Sequence, residues 1–475
     1  MTDPSPHPDL PAARLRATLW ALLALASFHL AHSLPSCRTL ILLYPFALVQ
    51  VIPLVSRRVA FYGGLALGLL LYAPQLQFFW TLFGAAAAVL WLILATWLAV
   101  FLLLSRSAID RWGPAYGALA LPFLWTGLEY ARSELYPLRF SWANASYPIG
   151  SSELRPLLSS LGMYGVGFVT VALGGVFWAS REPRRRIALG VILTLAGLTP
   201  LLRNHASPAE RSVQAAGMQL EETPEAAIIP ALDRLAARHP DAELLVLHEY
   251  LLSGEVPENM RRWCLEHQRW LLVGGKRQLA GDRWQNTAFV VGTNGSVVFE
   301  QGKKTPIQFF NDGISAPTQK LWQSPWGKIG IAICYDLSYT RVTDELVRQG
   351  AQALIIPTMD AIEWGPRQHE LHALVAPTRA CEYGIPILRV ASSGISQFVR
   401  ADGSVESSAP CPGPEATLSG TLRLGPAGRL PMDRYLAPFA SGAATILAVA
   451  MFLPRRRRGD LHPSSPPVPS GPSAS

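Results

Sequence analysis

Long apolar runs separated by short basic loops fill the first 203 residues, and a differently patterned segment comes after them. A bilayer-spanning helix needs about 20 largely apolar residues. Seven segments meet that pattern at 17–34, 38–55, 59–77, 82–104, 114–131, 158–179 and 187–202, and an eighth, Leu436–Leu453, comes late in the chain. Between them, 204–434 shows short apolar runs of strand length alternating with amphipathic stretches. Leu244–Leu247 and Trp270–Val273 read as buried strands, and Thr287–Gly292 with Ser296–Gln301 as a hairpin around an Asn-Gly turn. Lys328–Ile333, Ala353–Pro357 and Ile387–Ala391 read as further strands, with helices over Thr340–Gln349 and Gln368–Tyr383. Strands alternating with helices predict a layered α/β sandwich beside a multi-span helical part. The tail His462–Ser475 is Pro/Ser-rich, a composition of disordered chain.

Composition supports this division. Charged residues make up 16% of the chain, against about 25% in soluble domains, and the deficit is concentrated in 17–203. The formal charge of +8 does not indicate a nucleic-acid partner, because the arginines cluster in short loops where they control topology. Arg14 and Arg16, Arg57 and Arg58, Arg106 and Arg111, Arg181 with Arg184–Arg186, and Arg455–Arg458 fall at alternate loops, with Arg132, Arg139 and Arg155 as exceptions. The positive-inside rule then puts 1–16 and the basic tail 455–475 in the cytoplasm and 204–434 outside, in the periplasm, joined by the spans 17–203 and 435–454. Met1–Ala12 carries no cleavable signal pattern, so the first span is expected to stay as an anchor. Five cysteines without regular spacing give neither a disulfide framework nor a zinc pattern. His369 and His372, at i and i+3, are too few for a metal site and read as structural.

Three strand ends carry reactive side chains: Leu-His-Glu-Tyr around Glu249, Gly-Lys-Lys-Thr around Lys303 and Lys304, and Ile-Cys-Tyr-Asp around Cys334. A carboxylate, an ammonium and a thiol supply a base, a charge stabiliser and a nucleophile, the components of thiol-based acyl chemistry. Each has a plainer reading alone: a solvated strand-end acid, an exposed basic pair, a buried core cysteine. A strand-to-helix elbow at Cys334 would expose the thiol to helix N–H groups that lower its pKa and hold an oxyanion. His248 reads as a local packing residue. Glu129 lies near the outer end of a span, where the interface solvates it, and Trp80, Trp125 and Trp142 suit an interfacial belt.

The order Glu, Lys, Cys-Tyr-acid resembles the nitrilase (carbon-nitrogen hydrolase) superfamily. With the membrane frame the chain resembles the bacterial apolipoprotein N-acyltransferase family. The likeness rests on Leu-Trp-Thr-Gly-Leu-Glu-Tyr-Ala-Arg (124–132), Phe-Ser-Trp (140–142), Gly-Met-Tyr-Gly-Val-Gly-Phe (162–168), Asn286-Thr-Ala, Ile-Cys-Tyr-Asp (333–336), Glu345-Leu-Val-Arg, Arg379-Ala-Cys-Glu382 and Ala391-Ser-Ser-Gly-Ile-Ser396. It implies an α-β-β-α sandwich with Glu249 as base, Cys334 as nucleophile and, by register with Phe310 and Asp312, Lys304 as the lysine. Asp312, Tyr335, Asp336 and Asn286 become supporting residues. The implied reaction moves an acyl chain from a phospholipid, through a cysteine thioester, to the N-terminal amine of a diacylglyceryl-cysteine lipoprotein. It needs no metal or organic cofactor, and it implies a monomer in the bacterial inner membrane. The chain departs from the family pattern in having aspartates for both supporting glutamates, Leu-His-Glu for Trp-Pro-Glu, Ile-Gln-Phe-Phe-Asn-Asp for the Val-Pro-Phe-Gly-Glu loop, and Met-Asp-Ala-Ile-Glu-Trp-Gly at 359–365. Those changes bear on acceptor choice, as in a divergent paralogue, more than on the thiol. A membrane-tethered amidase and a non-catalytic scaffold are the other two readings.

Overall fold

The computed structural model describes residues 10–180, 187, 190, 211–221, 223–413 and 415–453. The helical part opens with α1 (Leu10–Ser33), a 3-10 stretch Pro35–Leu42 that runs on into α2 (Leu43–Val51), α3 (Arg57–Gln75) and the short α4 (Phe78–Phe83). Next come α5 (Ala86–Tyr130) and α6 (Leu158–Ala179). α5 is interrupted at Gly113, whose φ of 80° and ψ of 173° leave the helical region. The break reverses the chain, because a Cβ on Gly117 would lie 2.7 Å from the Cα of Ile109. The expected spans 82–104 and 114–131 are therefore the two arms of one hairpin. The expected span 187–202 and the tail 455–475 lie outside the described residues, apart from Ile187 and Gly190.

The α/β part runs through β1 (Arg211–Met218), α7 (Glu225–Arg238), β2 (Leu244–Val246), α8 (Glu258–His267), β3 (Trp270–Gln278), β4 (Trp284–Val291) and β5 (Val297–Gly302). It continues with β6 (Leu321–Ser324), β7 (Gly327–Ile331), α9 (Thr340–Arg348), β8 (Ala353–Thr358), α10 (Pro366–Ala373), α11 (Val375–Tyr383) and β9 (Ile387–Ala391). β10 (Gln397–Val399), β11 (Val405–Ser408) and β12 (Thr417–Leu424) complete the sheets, and α12 (Asp433–Phe452) returns to the helical part. The single predicted helix Gln368–Tyr383 is two, broken at Leu374 ahead of Pro377, a residue without an N–H to donate.

Two six-stranded sheets form, ordered β12-β1-β2-β3-β4-β5 and β11-β10-β9-β8-β7-β6. Val246, Leu272, Ala288 and Val290 on the inner face of the first meet Ile329, Ile331, Ile355 and Leu388 of the second. The outer face of the first sheet buries Leu245, Leu271, Val273 and Phe289 against Leu232 and Leu235 of α7 and Trp263 of α8. α9, α10 and α11 cover the second sheet, giving the expected α-β-β-α layers, and α11 also packs on α6. Among the described residues, Pro35–Leu54, Ala86–Leu135, Arg155–Ala179 and Asp433–Phe452 are long and apolar enough to cross a membrane. Leu19, Leu70, Val89, Leu119, Phe439 and Ile446 stand exposed around this part. So much outward apolar surface belongs in lipid.

The two parts cap each other's helices. The regular run of α6 starts after Gly162, whose φ of 69° breaks the chain direction. The N–H groups of Met163 and Tyr164 then donate to Glu382 (2.7 Å) and Asp433 (2.9 Å). In return, Glu134 of the helical part accepts from the Thr340 N–H at 2.8 Å and so caps α9. First-turn N–H groups have no partner within their own helix, and the helix dipole favours an anion there. Glu382 also binds Arg379 and Arg434, and the three side chains are almost wholly covered. Removing one member of a buried ionic group costs about 3–5 kcal/mol, because the remaining charges stay desolvated. Glu382→Ala is expected to lower the thermal unfolding midpoint of the detergent-purified protein strongly. Glu382→Gln, which keeps an acceptor for Met163, should fall between it and the parent.

Candidate active site

Glu249 leaves the end of β2 through a turn at Tyr250, whose φ of 59° is left-handed. The turn sends the carboxylate inward, where it is 1% exposed. Its Oε1 accepts from Asn286 Nδ2 (2.6 Å) and Lys303 Nζ (2.9 Å), and its Oε2 from the Met359 N–H (2.8 Å). Lys303 extends β5 by donating its N–H to the Asn286 carbonyl at 2.8 Å. Side chains alternate along a strand, so Lys303 points inward with Gln301. Its Nζ lies 2.7 Å from Asp312 Oδ2 as well as against Glu249.

This corrects the expectation for Lys304. Its ammonium reaches the Pro317 carbonyl at the surface. Register with Phe310 and Asp312 misleads because loop 305–312 folds back on itself, with the Ile307 N–H donating to Asp312 Oδ2 at 2.7 Å. Distance along such a loop does not report which neighbour faces inward.

Cys334 comes after β7 with a φ of 52°. A non-glycine residue there is strained by about 1–2 kcal/mol. The chain then makes a short 3-10 turn, Cys334–Ser338, before the expected helix α9 begins at Thr340. The thiol is 2% exposed and donates to the Met359 carbonyl at 3.6 Å, while also engaging Glu249. Glu249 and Cys334 thus meet at one residue, Met359. Asp336 supports both sides of the site. It accepts from the N–H groups of Lys304 (3.0 Å), Thr305 (2.7 Å) and Ile333 (3.4 Å), tying the lysine loop to the nucleophile strand. Asn286 bridges Glu249 and Asp312, the latter at 2.9 Å. Tyr335 turns away and packs on Trp142 and Tyr339, with ring centroids 5.8 Å and 4.9 Å apart.

Burial dominates the electrostatics. It pushes the Cys334 thiol well above its usual range, the Glu249 charge adds to that, and Lys303 offsets only part. The expected thiolate is therefore not the resting form. Burial also raises Glu249, against the opposing pull of Lys303. For Asp312 burial acts upward, but Lys303 outweighs it and the acid is lowered. Burial opposes the Lys303 charge, yet Glu249 and Asp312 together hold its pKa well up. Burial lifts Asp336 to about 6.

Several site residues carried no local signal in the sequence. Tyr250 donates to Asp312. Asp360, beside Met359, is held by His372 (2.7 Å), Gln368 (3.0 Å) and Arg389, all buried. Trp142 stacks on His372 at 4.7 Å and donates to Ser338 Oγ at 2.9 Å, so it is a buried contact of the turn that follows Cys334. His369 is bonded to Cys411 (3.1 Å) and the Ala361 carbonyl (3.0 Å), and His248 to the Glu249 carbonyl (2.6 Å), as structural roles require.

Two cavities meet here. One, of about 600 Å³, is lined by Glu249, Lys303, Asp312, Tyr250, Lys276 and Trp284. The other, of about 110 Å³, is lined by apolar residues of the helical part, including Phe78, Phe83, Leu94, Phe140 and Trp142. Ile307, Phe310 and Trp364 belong to both walls. A thiol beside a desolvated carboxylate, an ammonium nearby and an adjoining apolar slot can form and break an acyl thioester.

Residues 191–430, half of the chain, match the carbon-nitrogen hydrolase family, and the chain belongs to it. Residues 14–176 match the apolipoprotein N-acyltransferase N-terminal domain. The two matches together set the chain among the apolipoprotein N-acyltransferases, membrane enzymes of that family, in agreement with the resemblance drawn from the motifs. The apolipoprotein N-acyltransferase of Geobacter metallireducens is 26% identical over 96% of this chain and 98% of its own length. That of Ralstonia nicotianae is 25% identical over 79% of each. The deaminated glutathione amidase of Bos taurus is 29% identical over 37% of this chain and 57% of its own. A carbon-nitrogen hydrolase structure from Helicobacter pylori has a TM-score of 0.38 and 18% identity, covering 45% of this chain and 90% of that one.

Loss of one oxyanion donor typically costs about a hundredfold to a thousandfold in rate. Lys303→Ala should show a loss of that order or more in single-turnover acylation by a labelled phospholipid, and Lys304→Ala little change. A crippled Lys304→Ala beside an active Lys303→Ala would reverse the assignment. The raised thiol pKa predicts that iodoacetamide alkylation of Cys334 stays slow at neutral pH and still climbs above pH 9. In Glu249→Gln the negative charge is gone, so alkylation should begin at lower pH even though acyl transfer collapses.

Proposed function

We propose that this chain takes an acyl group from a membrane phospholipid onto Cys334 and passes it to the N-terminal α-amine of a diacylglyceryl-cysteine lipoprotein. The observation that carries this reading is that the cavity lined by Glu249 and Lys303 shares Ile307, Phe310 and Trp364 with an apolar cavity walled by the helical part. The acyl chain lies in the apolar cavity and its ester carbonyl at the thiol. Glu249 accepts the S–H proton as sulfur attacks the carbonyl carbon, and Lys303 stabilises the oxyanion. Collapse breaks the ester C–O bond. The leaving glycerol oxygen takes the proton from Glu249, and lysophospholipid departs. The acceptor amine then attacks the thioester, its proton passes through Glu249 to the leaving sulfur, and the amide is released.

Both substrates are lipids, and exposing each CH₂ to water costs about 0.8 kcal/mol, which favours chemistry at the bilayer surface. A water-acceptor amidase has less support, because an apolar slot does nothing for a small polar amide. The arginine loops support a periplasmic catalytic part in the inner membrane. Arg57 and Arg106 both pair with Asp110, at 2.8 Å and 2.7 Å, which sets two basic loops at one end of the helical part. Incubation with phospholipid should add one acyl mass to the intact protein, on Cys334. Cys334→Ala should carry none while unfolding at the parent's temperature. An unmodified parent protein, or an acylated Cys334→Ala, would sink the scheme.

A further inference from the structure

Lys276 has no role in the chemistry above, yet it stands inside the larger cavity. On β3 it lies directly opposite Asn286 of β4. Directly opposed residues send their side chains to the same face of a sheet. Asn286 uses that face to bind Glu249 and Asp312, so Lys276 projects beside the charged centre. Its Nζ stands 4.9 Å from the Trp284 ring and 5.8 Å from the Tyr250 ring. These aromatic faces hold an ammonium in place without neutralising it.

The charge is uncompensated. Among the described residues no carboxylate pairs with Lys276, whereas Lys303 has both Glu249 and Asp312. Of the other acids on the wall, Glu225 is occupied by the Ser253 N–H (2.9 Å) and hydroxyl, and Glu363 is exposed. A partly buried ammonium with unused donors, held over two rings at the edge of a reaction centre, suits an anion.

We propose that Lys276 is a phosphate subsite that holds the phosphodiester of the acyl donor. The inference rests on the acyl-transfer reading above and adds the recognition of the donor. With the acyl chain in the apolar cavity and its carbonyl at Cys334, the glycerol and headgroup fall on the opposite side of that carbonyl, in the cavity that Lys276 lines. The acceptor has no phosphate. Lys276 therefore serves the first half-reaction and not the second.

The test uses the full-length protein in detergent micelles and measures single-turnover acylation of Cys334 from two donors. One is phosphatidylglycerol, and the other is a p-nitrophenyl ester of the same acyl chain, which has no phosphate. Losing a hydrogen bond to a charged group costs about tenfold to a hundredfold. Lys276→Ala and Lys276→Gln should lose that much with phosphatidylglycerol, and Lys276→Arg should restore most of it. The loss should be confined to the phosphate-bearing donor. Transfer from preformed thioester to a diacylglyceryl-cysteine peptide should keep the parent rate. An equal loss with both donors, or no loss with phosphatidylglycerol, overturns the subsite. A parent protein that takes acyl only from the p-nitrophenyl ester overturns the phospholipid donor and the subsite with it, while the thiol chemistry stands. A parent that takes acyl from neither donor overturns the acyl-transfer reading itself.

Discussion

The site is organised around the Lys303 ammonium, buried between the Glu249 and Asp312 carboxylates. Desolvating each charge costs several kcal/mol, and attraction offsets this only when the remaining lone pairs and protons also find partners. Here they do. Asn286 serves both acids, Tyr250 and the Ile307 N–H complete Asp312, and the Met359 N–H completes Glu249. Strand ends from β2, β4 and β5 must therefore stay in register for the charges to be tolerated at all. Burial keeps the neighbouring thiol protonated at rest, and the Glu249 charge adds to that while Lys303 offsets only part. In the proposed scheme, reactivity then depends on handing the proton to Glu249 as the carbonyl is attacked, which would protect a buried thiol from side reactions while no substrate is present.

The helical part is more than an anchor. Arg379 donates to the carbonyls of Leu337 (3.1 Å) and Ser338 (2.9 Å) in the nucleophile turn and pairs with Glu382, which caps α6. Trp142 and Ser141 reach Ser338 from the opposite side. The strained turn at Cys334 is thus clamped between the sandwich and the membrane helices. Packing and hydrogen bonding on both sides of a turn are what allow a left-handed cysteine to persist. The same helical part walls the apolar cavity, so in the proposed reading the surface that holds the Cys334 turn also receives the acyl chain.

Much of this was legible in the chain itself. Long apolar helices along the first 179 residues emerged from apolar length, and the strands bearing Glu249 and Cys334 from short apolar runs with reactive residues at their ends. Asn286, Asp312 and Asp336 came from motif register and do converge on the site. β1, β11 and β12 were not foreseen, because their mixed burial gives no clean period of two, and β6 and β10 are too short to stand out. α7 and α8 were missed although Ile228, Ala231, Leu232 and Leu235, and Met260, Trp263 and Cys264, repeat at helical spacing.

Sequence determined which residue types were present and that they ended strands, since hydrophobic periodicity and motif order are local properties. Tertiary structure decided between Lys303 and Lys304, because facing depends on how β5 pairs with β4 and not on distance along a loop. It decided the state of the thiol, because burial and a neighbouring carboxylate outweigh one lysine. It also decided that Trp142, His372, Asp360 and Lys276 belong to the site's surroundings. Those contacts join residues far apart along the chain, and only the folded chain brings them within reach of one another.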